Sequence, residues 1–390
     1  MKSSKSIFFI ASILLLQACA QKKEEKIILI KNSLNIERTF ETVTLTKDFL
    51  NITDLTIIGI RDLKTNELQI TQTVDINNDG IADELLFQPK IQASSEKEYV
   101  IIQVLEEQQP KTTTYCYSRF VPERTDDYAW ENNKVAFRVF GPTAQKMAED
   151  SIKGGTLSSG VDAWLKKVEY PIINKWYKEN DKNVGSYHID HGEGLDNFHV
   201  GISRGVGGIA VKKDSVYYYS KNFTKWRTIT TGPIRTSFYL EYESWDAGGN
   251  QIKECKFISL DYGSNLSKFE TAIEGTQSIS VGLTLHEKDG EITENTNNAW
   301  VSYWQPHKES TLGTAIIAPE KYFLSLEKYD SPAVDESNAY AHLKVIDNAV
   351  IYYAGFGWKE SSQFTTKQEW EGYLNDFSEK LKNPLSVSLK

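Results

Sequence analysis

Between Val184 and Gly208 the chain reads VGSYHIDHGEGLDNFHVGISRGVGG, and three of its six histidines, His188, His191 and His199, fall inside that stretch. Tyr187, Asp190, Glu193, Asp196 and Arg204 stand among them, on a backbone that is glycine at 185, 192, 194, 201, 205, 207 and 208. Glycine at this density gives up backbone order unless the chain needs positive φ or a close approach. Histidine titrates near neutrality, so a base, an acid and a cation crowded onto loops between strands suit proton transfer. His188 and His191 are the first choices for base and acid, and Tyr187 is the alternative acid. Asp190 or Glu193 could orient an imidazole. The plainer reading is a polar turn whose histidines cap strands.

Metal binding competes for the same residues. His188-x-x-His191 with Glu193 or Asp196 offers nitrogen and oxygen ligands at workable spacing, although the helix of zincin-type sites is missing. A second metal reading falls on Asp75-Ile-Asn77-Asn-Asp79-Gly80-Ile-Ala-Asp83. Oxygen ligands at alternate positions with glycine at the bend match the start of a calcium loop, but Leu86 stands where the bidentate glutamate belongs. A structural calcium held by Asp75, Asn77, Asp79 and Asp83 is one reading. An Asx-rich hairpin that satisfies its own backbone is the other.

Residues 119 to 142, RFVPERTDDYAWENNKVAFRVFGP, set Arg119, Arg124, Asp126, Asp127, Glu131 and Arg138 between Tyr128, Trp130, Phe137 and Phe140. Aromatic faces beside forked guanidiniums suit a sugar ring that carries carboxylate or sulfate. Arg204 and Arg138 are the leading carboxylate clamps, Arg124 and Arg235 follow, and Trp130 and Asp196 complete the substrate-binding set. A salt-bridged strand pair with Trp130 in the core is the alternative.

The elements that must position these residues are mostly strands. IILI, ETVTLT, DLTIIGI, ELQITQTV and EYVIIQVL precede the histidine stretch, and denser strand-length runs follow it to AVIYYAGFGW. Residues 161 to 180 are the best internal helical candidate, read as two short helices around Pro171 or an ordered connection. Asp246-Ala-Gly-Gly249 is a hairpin turn by composition. Near the end, Thr366 and Glu369 form a capping box before a helix with Trp370, Tyr373, Leu374, Phe377 and Leu381 on one face. The expected fold is mainly β: a large antiparallel two-sheet sandwich of the galactose-mutarotase-like or supersandwich kind, with a few short helices and a C-terminal helix. Its concave face suits oligosaccharides, and 9 tryptophans with 20 tyrosines agree with sugar stacking or with a large core.

The start of the chain has two lysines and then the apolar run Ile7 to Leu16, too short to span a membrane. Leu-Gln-Ala-Cys19 resembles a bacterial lipobox, so residues 1–19 read as a lipoprotein signal with Cys19 the lipidation site, and 20–29 as a polar tether. Residues 30–390 read as a single large β-sandwich catalytic domain. The expected location is the cell envelope: lipid-anchored in the outer membrane, facing outward or into the periplasm, with membrane contact only through the anchor. A net charge of −9 with no basic block argues against nucleic acid as partner. Export makes a Cys116–Cys255 disulfide feasible, and two buried thiols are equally consistent.

Four stretches, FVPERTDDYAWENNKVAFRVFGP, SYHIDHGEGLDNFHVG, TTGPIRTSFYLEY and YYAGFGW, resemble one family over most of the mature chain. That family was catalogued as a domain of unknown function in polysaccharide-utilisation clusters, and one branch is described as an ulvan oligosaccharide dehydratase. The resemblance implies elimination of water across C4 and C5 of a non-reducing-end uronic acid, leaving a 4,5-unsaturated residue. The partner would be an acidic, uronic-acid-containing oligosaccharide, with or without sulfate. Such chemistry needs a base at C5, an acid at the departing 4-hydroxyl and a neutraliser for the carboxylate, which an arginine or a metal supplies. A polysaccharide lyase or a glycoside hydrolase working through Glu193 and Asp196 is an alternative. A non-catalytic surface glycan-binding lipoprotein is another.

Overall fold

β-Branched and aromatic residues recur in short runs between polar turns, and the computed structural model, which describes residues 26–390, turns nearly all of these runs into antiparallel strands. The leader, Cys19 and most of the tether lie outside the described residues. Residues 27–29 of the expected tether instead belong to the strand Ile27–Lys31. No helix among the described residues is long and apolar enough to cross a membrane.

Two small sheets form the first unit. One has the order Ser386–Leu389, Ile27–Lys31, Glu96–Gln103, Ile58–Asp62, so the chain's last strand closes the sheet its first strand began. The other pairs Val43–Thr46, Glu84–Phe87 and Thr71–Val74. Ile28, Leu45, Ile60, Phe87 and Tyr99 share one buried cluster between them.

The main body is a sandwich. A nine-stranded sheet forms one layer, and two five-stranded sheets face it across a single apolar core. One five-stranded sheet meets the nine-stranded layer through Tyr128 on Phe238 and Trp130 on Phe238, with ring centroids 4.3 and 5.1 Å apart, and through Phe137 on Phe356 at 5.3 Å. The other contributes Ile209, Val281 and Leu343 to the same core. A parallel bridge from Val161 to Gly205 ties the two five-stranded sheets together. Gly207 is required where the layers come closest: its φ is +101°, and a Cβ there would collide with that of Ala354.

The sheet that carries the histidine stretch shows how strand periodicity sorts side chains. It runs Gly194–Leu195, Asp162–Lys166, Ala136–Val139, Asp127–Glu131, Tyr117–Val121. Tyr128, Trp130, Phe137, Ala163 and Leu165 point into the sandwich, while Ala129, Ala136 and Trp164 pack on the outer face with the helix Ile173–Asp181. By the same alternation Asp127, Glu131, Arg138, Asp162 and Lys166 share that outer face. The helix covers it with Ile173, Trp176 and Tyr177. Glu131 anchors the helix start by accepting from the amides of Ile172 and Ile173, each at 2.9 Å, and from Lys166 at 2.7 Å. A carboxylate is stabilised there by the unpaired amides of the first turn.

Residues 161–180 are therefore not two helices. The first part is a strand buried on both faces, which removes the polar alternation that marks a half-exposed strand, and only the second part is helical. Cys116 and Cys255 are free thiols, and burial pushes the Cys116 pKa well up. The hairpin at Asp246–Gly249 and the C-terminal helix Lys367–Lys382 form as the sequence suggests. Thr366 and Glu369 make the capping box, and Trp370 and Leu374 are buried against Trp300 and Ile317.

Candidate active site

The backbone of the loop from Gly185 closes on itself before any side chain acts. The Asp196 amide donates to the Tyr187 carbonyl at 2.7 Å, and Gly194, with φ of +112°, lets the loop pair against Leu165 and Lys166 where a Cβ would strike the Leu165 carbonyl. Tyr187 is buried, its ring 5.0 Å from Trp164 and 5.9 Å from Tyr177. Its hydroxyl oxygen accepts from Arg124 Nε at 3.0 Å, so the tyrosine O–H remains available as a donor.

His188 stands beside it, with ring centroids 4.5 Å apart and a side chain 56% exposed. Its Nδ1 lies 2.8 Å from the Asp196 carbonyl oxygen and 3.6 Å from Asp196 Oδ2. A carbonyl can only accept, so Nδ1 carries the proton and Nε2 carries the lone pair. The imidazole is thus held through Nδ1, and its Nε2 makes no hydrogen bond among the described residues.

Behind Asp196 lies a buried charge cluster. Arg138 donates to Asp162 Oδ2 from Nε at 2.9 Å and from Nη2 at 2.5 Å, and to Asp196 Oδ2 at 3.0 Å. Its Nη1 is 3.6 Å from Asp127 Oδ2, which accepts from the Tyr177 hydroxyl at 3.1 Å. Three carboxylates (Asp127, Asp162, Asp196) against two guanidiniums (Arg138, Arg124) leave one net negative charge if all ionise. Burial pushes the Asp127 pKa up to about 6 and Asp162 up to about 7, against the pull of Arg138, and raises Asp196 too. Burial alone would lower the Arg138 pKa, but its aspartates hold it well above the usual arginine value. The cluster therefore retains a proton near neutrality.

Tyr187, His188, Arg124, Arg138 and Asp196 thus come together. Arg138, however, has its fork committed to aspartates beneath the surface, which corrects its reading as a substrate clamp. Asp127, Asp162 and Tyr177 join the site without having been singled out for it. Asp162 lies directly across the strand pair from Arg138, a register that composition does not reveal.

The other sequence candidates lie elsewhere. His191 is exposed on the rim of a small cavity of about 210 Å³ lined by Trp176, Glu179, Ser186 and Tyr187. Glu193 is fixed by Tyr170 at 2.5 Å, Lys175 at 2.8 Å and Trp176 Nε1 at 3.1 Å, and Asp190 is paired with Lys167. Burial would raise the Glu193 pKa, but these hydrogen bonds outweigh it and hold it below the ordinary value. Glu193 orients the helix, not an imidazole. Trp130 is fully buried, with Nε1 donating to Ser267 at 2.9 Å, so it cannot stack on a sugar. Arg204 is buried beneath Tyr219, 4.0 Å from the ring centroid, and donates to Ser159 and to the Ile202 carbonyl. It is no clamp either. Arg235 is tied to Asp261 on the far face of the nine-stranded sheet.

His199 pairs with Asp335 at 2.9 Å, and His286 meets the His199 carbonyl at 2.7 Å. His307 meets Asn197 at 2.7 Å, and burial followed by the neighbouring His286 pushes its pKa down to about 4. Among the described residues, no three or more His, Cys, Asp or Glu side chains are grouped to hold a metal. In the Asp75 loop the side-chain oxygens accept from backbone amides, Asp75 from Asn78 and Gly80 and Asp83 from Ile76, which is the Asx-turn arrangement.

A profile of the family described as "Domain of unknown function (DUF4861)" matches residues 30–387. The chain belongs to that family. A relative, "Uncharacterized protein P7" of Formosa agariphila, is 55% identical over 395 residues, covering 100% of both chains. Among solved structures the fold is similar to a protein in glycosyl hydrolase family 38 from Enterococcus faecalis, with a TM-score of 0.50 and 10% identity over 94% of this chain. This DUF4861 chain spans about half of that protein, 48% of its length, and the likeness is one of fold.

Proposed function

We propose that the protein is a hydro-lyase that removes water from a non-reducing-end uronic acid of an ulvan-type acidic oligosaccharide, leaving a 4,5-unsaturated residue. The observation that carries this reading is the row Arg124–Tyr187–His188, in which a free imidazole nitrogen, a tyrosine hydroxyl and a guanidinium stand side by side. His188 Nε2 takes the C5 proton, and the electron pair of the broken C5–H bond forms the C4=C5 bond as the C4–O bond breaks. Tyr187 gives its proton to the departing 4-hydroxyl, which leaves as water. Arg124 stabilises the resulting phenolate and is near enough to the same centre to neutralise the uronate carboxylate as charge builds there. Transfer of the proton from His188 to Tyr187 through solvent resets the pair. The imidazolium formed on the way has Asp196 Oδ2 3.6 Å from its Nδ1.

This assignment replaces His191 by Tyr187 as the acid. A hydrolase would need two free carboxylates across a scissile bond, whereas Glu193 and Asp196 are both committed to cations. A sandwich of this kind is a fold that a protein in glycosyl hydrolase family 38 also uses, and a carbohydrate-related role accords with it. Export and lipid anchoring at Cys19 in the outer membrane belong to the same proposal, since such oligosaccharides arise outside the cytoplasm. The test is a pair of variants, His188→Ala and Tyr187→Phe. Both should lose turnover by about 10²–10⁴-fold while still binding the oligosaccharide. Turnover that survives both changes would sink the assignment.

A further inference from the structure

A cavity of about 830 Å³ lies away from the histidine site, on the opposite face of the nine-stranded sheet. Its floor is the outward side chains of four strands, including Arg235, Ser237, Phe257, Ser259, Lys268 and Tyr353. The first unit roofs it with Phe40, Thr44 and Glu84, and the C-terminal helix walls it with Tyr373 and Phe377. Clefts of roughly 300–1,000 Å³ at the junction of structural units are where small ligands bind.

We propose that this cavity binds an uncharged saccharide segment. Carboxylates outnumber cations on its lining, Glu41, Glu84, Asp261 and Glu270 against Arg235, Lys268 and Lys380, and two of the cations are already paired: Arg235 with both oxygens of Asp261 at 2.6 and 2.8 Å, and Lys268 with Glu270 at 3.0 Å. An acidic ligand would find no free guanidinium there. Glu84 lies half-buried in the wall, and burial raises its pKa toward the neutral acid. Ser237, Ser259, Glu84 and the Tyr353 hydroxyl have no side-chain hydrogen-bond partner among the described residues, yet all four line the cavity. Hydroxyls and a carboxyl that both donate and accept, between the rings of Phe257, Tyr353 and a half-exposed Phe40, match a ligand with many hydroxyls and apolar ring faces. The site gives the strand around Arg235 a role that the elimination does not use, and it stands apart from that reaction.

Isothermal titration of the full chain with maltotriose, cellotriose and xylotriose tests it, with trigalacturonate as the acidic counterpart. At least one neutral trisaccharide should bind, with Kd about 1 mM or tighter. Affinity should fall about tenfold in both Phe40→Ala and Glu84→Leu, and remain unchanged in His188→Ala. These two positions lie on the cavity rim, so the variants should fold, which their circular dichroism would verify. Binding by none of the three neutral sugars, binding unaltered by both rim changes, or equal binding of trigalacturonate through the same residues would overturn the proposal. Because binding is read without turnover, failure here leaves the elimination standing, and failure of the elimination leaves this site standing.

Discussion

Replacing Asp127 by asparagine probes the charge balance behind His188. Asp127 is buried, 3.6 Å from Arg138 and accepting from Tyr177 at 3.1 Å, and burial pushes its pKa up to about 6. An unfolded aspartate titrates near about 3.9. Since the folded value is the higher, the native state holds the proton more tightly. The stability this contributes is complete below about pH 4 and is lost as pH rises through about 6. A gap of about two units, at about 1.4 kcal/mol each, sets the loss at about 3 kcal/mol by pH 8. Asparagine is uncharged and its carbonyl can still accept from Tyr177, so Asp127→Asn should escape that loss. Urea unfolding followed by tryptophan fluorescence should show the variant gaining on the parent by about 3 kcal/mol between pH 4 and pH 8. A difference that is flat with pH, or one that falls toward pH 8, would refute the reasoning.

Three further outcomes follow from the same geometry. His191→Ala should leave turnover within about twofold of the parent, because the exposed His191 side chain makes no hydrogen bond to Arg124, Tyr187 or His188 among the described residues; a loss as large as that of His188→Ala would restore it as the acid. Arg124→Met should lower kcat by about 10²–10³-fold with a smaller change in KM, because its charge is needed most when the carboxylate and phenolate develop; an effect confined to KM would make it a binding residue only. Trp130→Ala should destabilise the sandwich by about 3–5 kcal/mol in denaturant titration, since it empties a fully buried site and strands the Ser267 hydroxyl; a cost below about 1 kcal/mol would mean the core collapses to fill it.

Much of the architecture was legible because local rules and burial agree. Half-exposed strands alternate, and the Thr366–Glu369 box announces the last helix. The strand Asp162–Lys166 was misread because all five of its residues are buried, and a run of that kind lacks the alternation that separates strand from helix. The site was legible in part. Tyr187, His188 and Asp196 lie within one loop, and only glycines could turn it so tightly. Asp127, Asp162 and Tyr177 were not legible as partners of Arg138, since strand register and a covering helix bring them together. Arg204 misled for the opposite reason. A guanidinium buried with serine, carbonyls and a tyrosine ring reads, in sequence, like one meant for substrate.

The elimination itself is tested most directly by incubating the protein with saturated ulvan oligosaccharides that end in a uronic acid, and following mass and ultraviolet absorbance together. The account predicts loss of one water per chain, a new conjugated-enoate band and no change in chain length, all absent with His188→Ala. Shortened chains, with or without the new band, would make the protein a lyase or a hydrolase and contradict it.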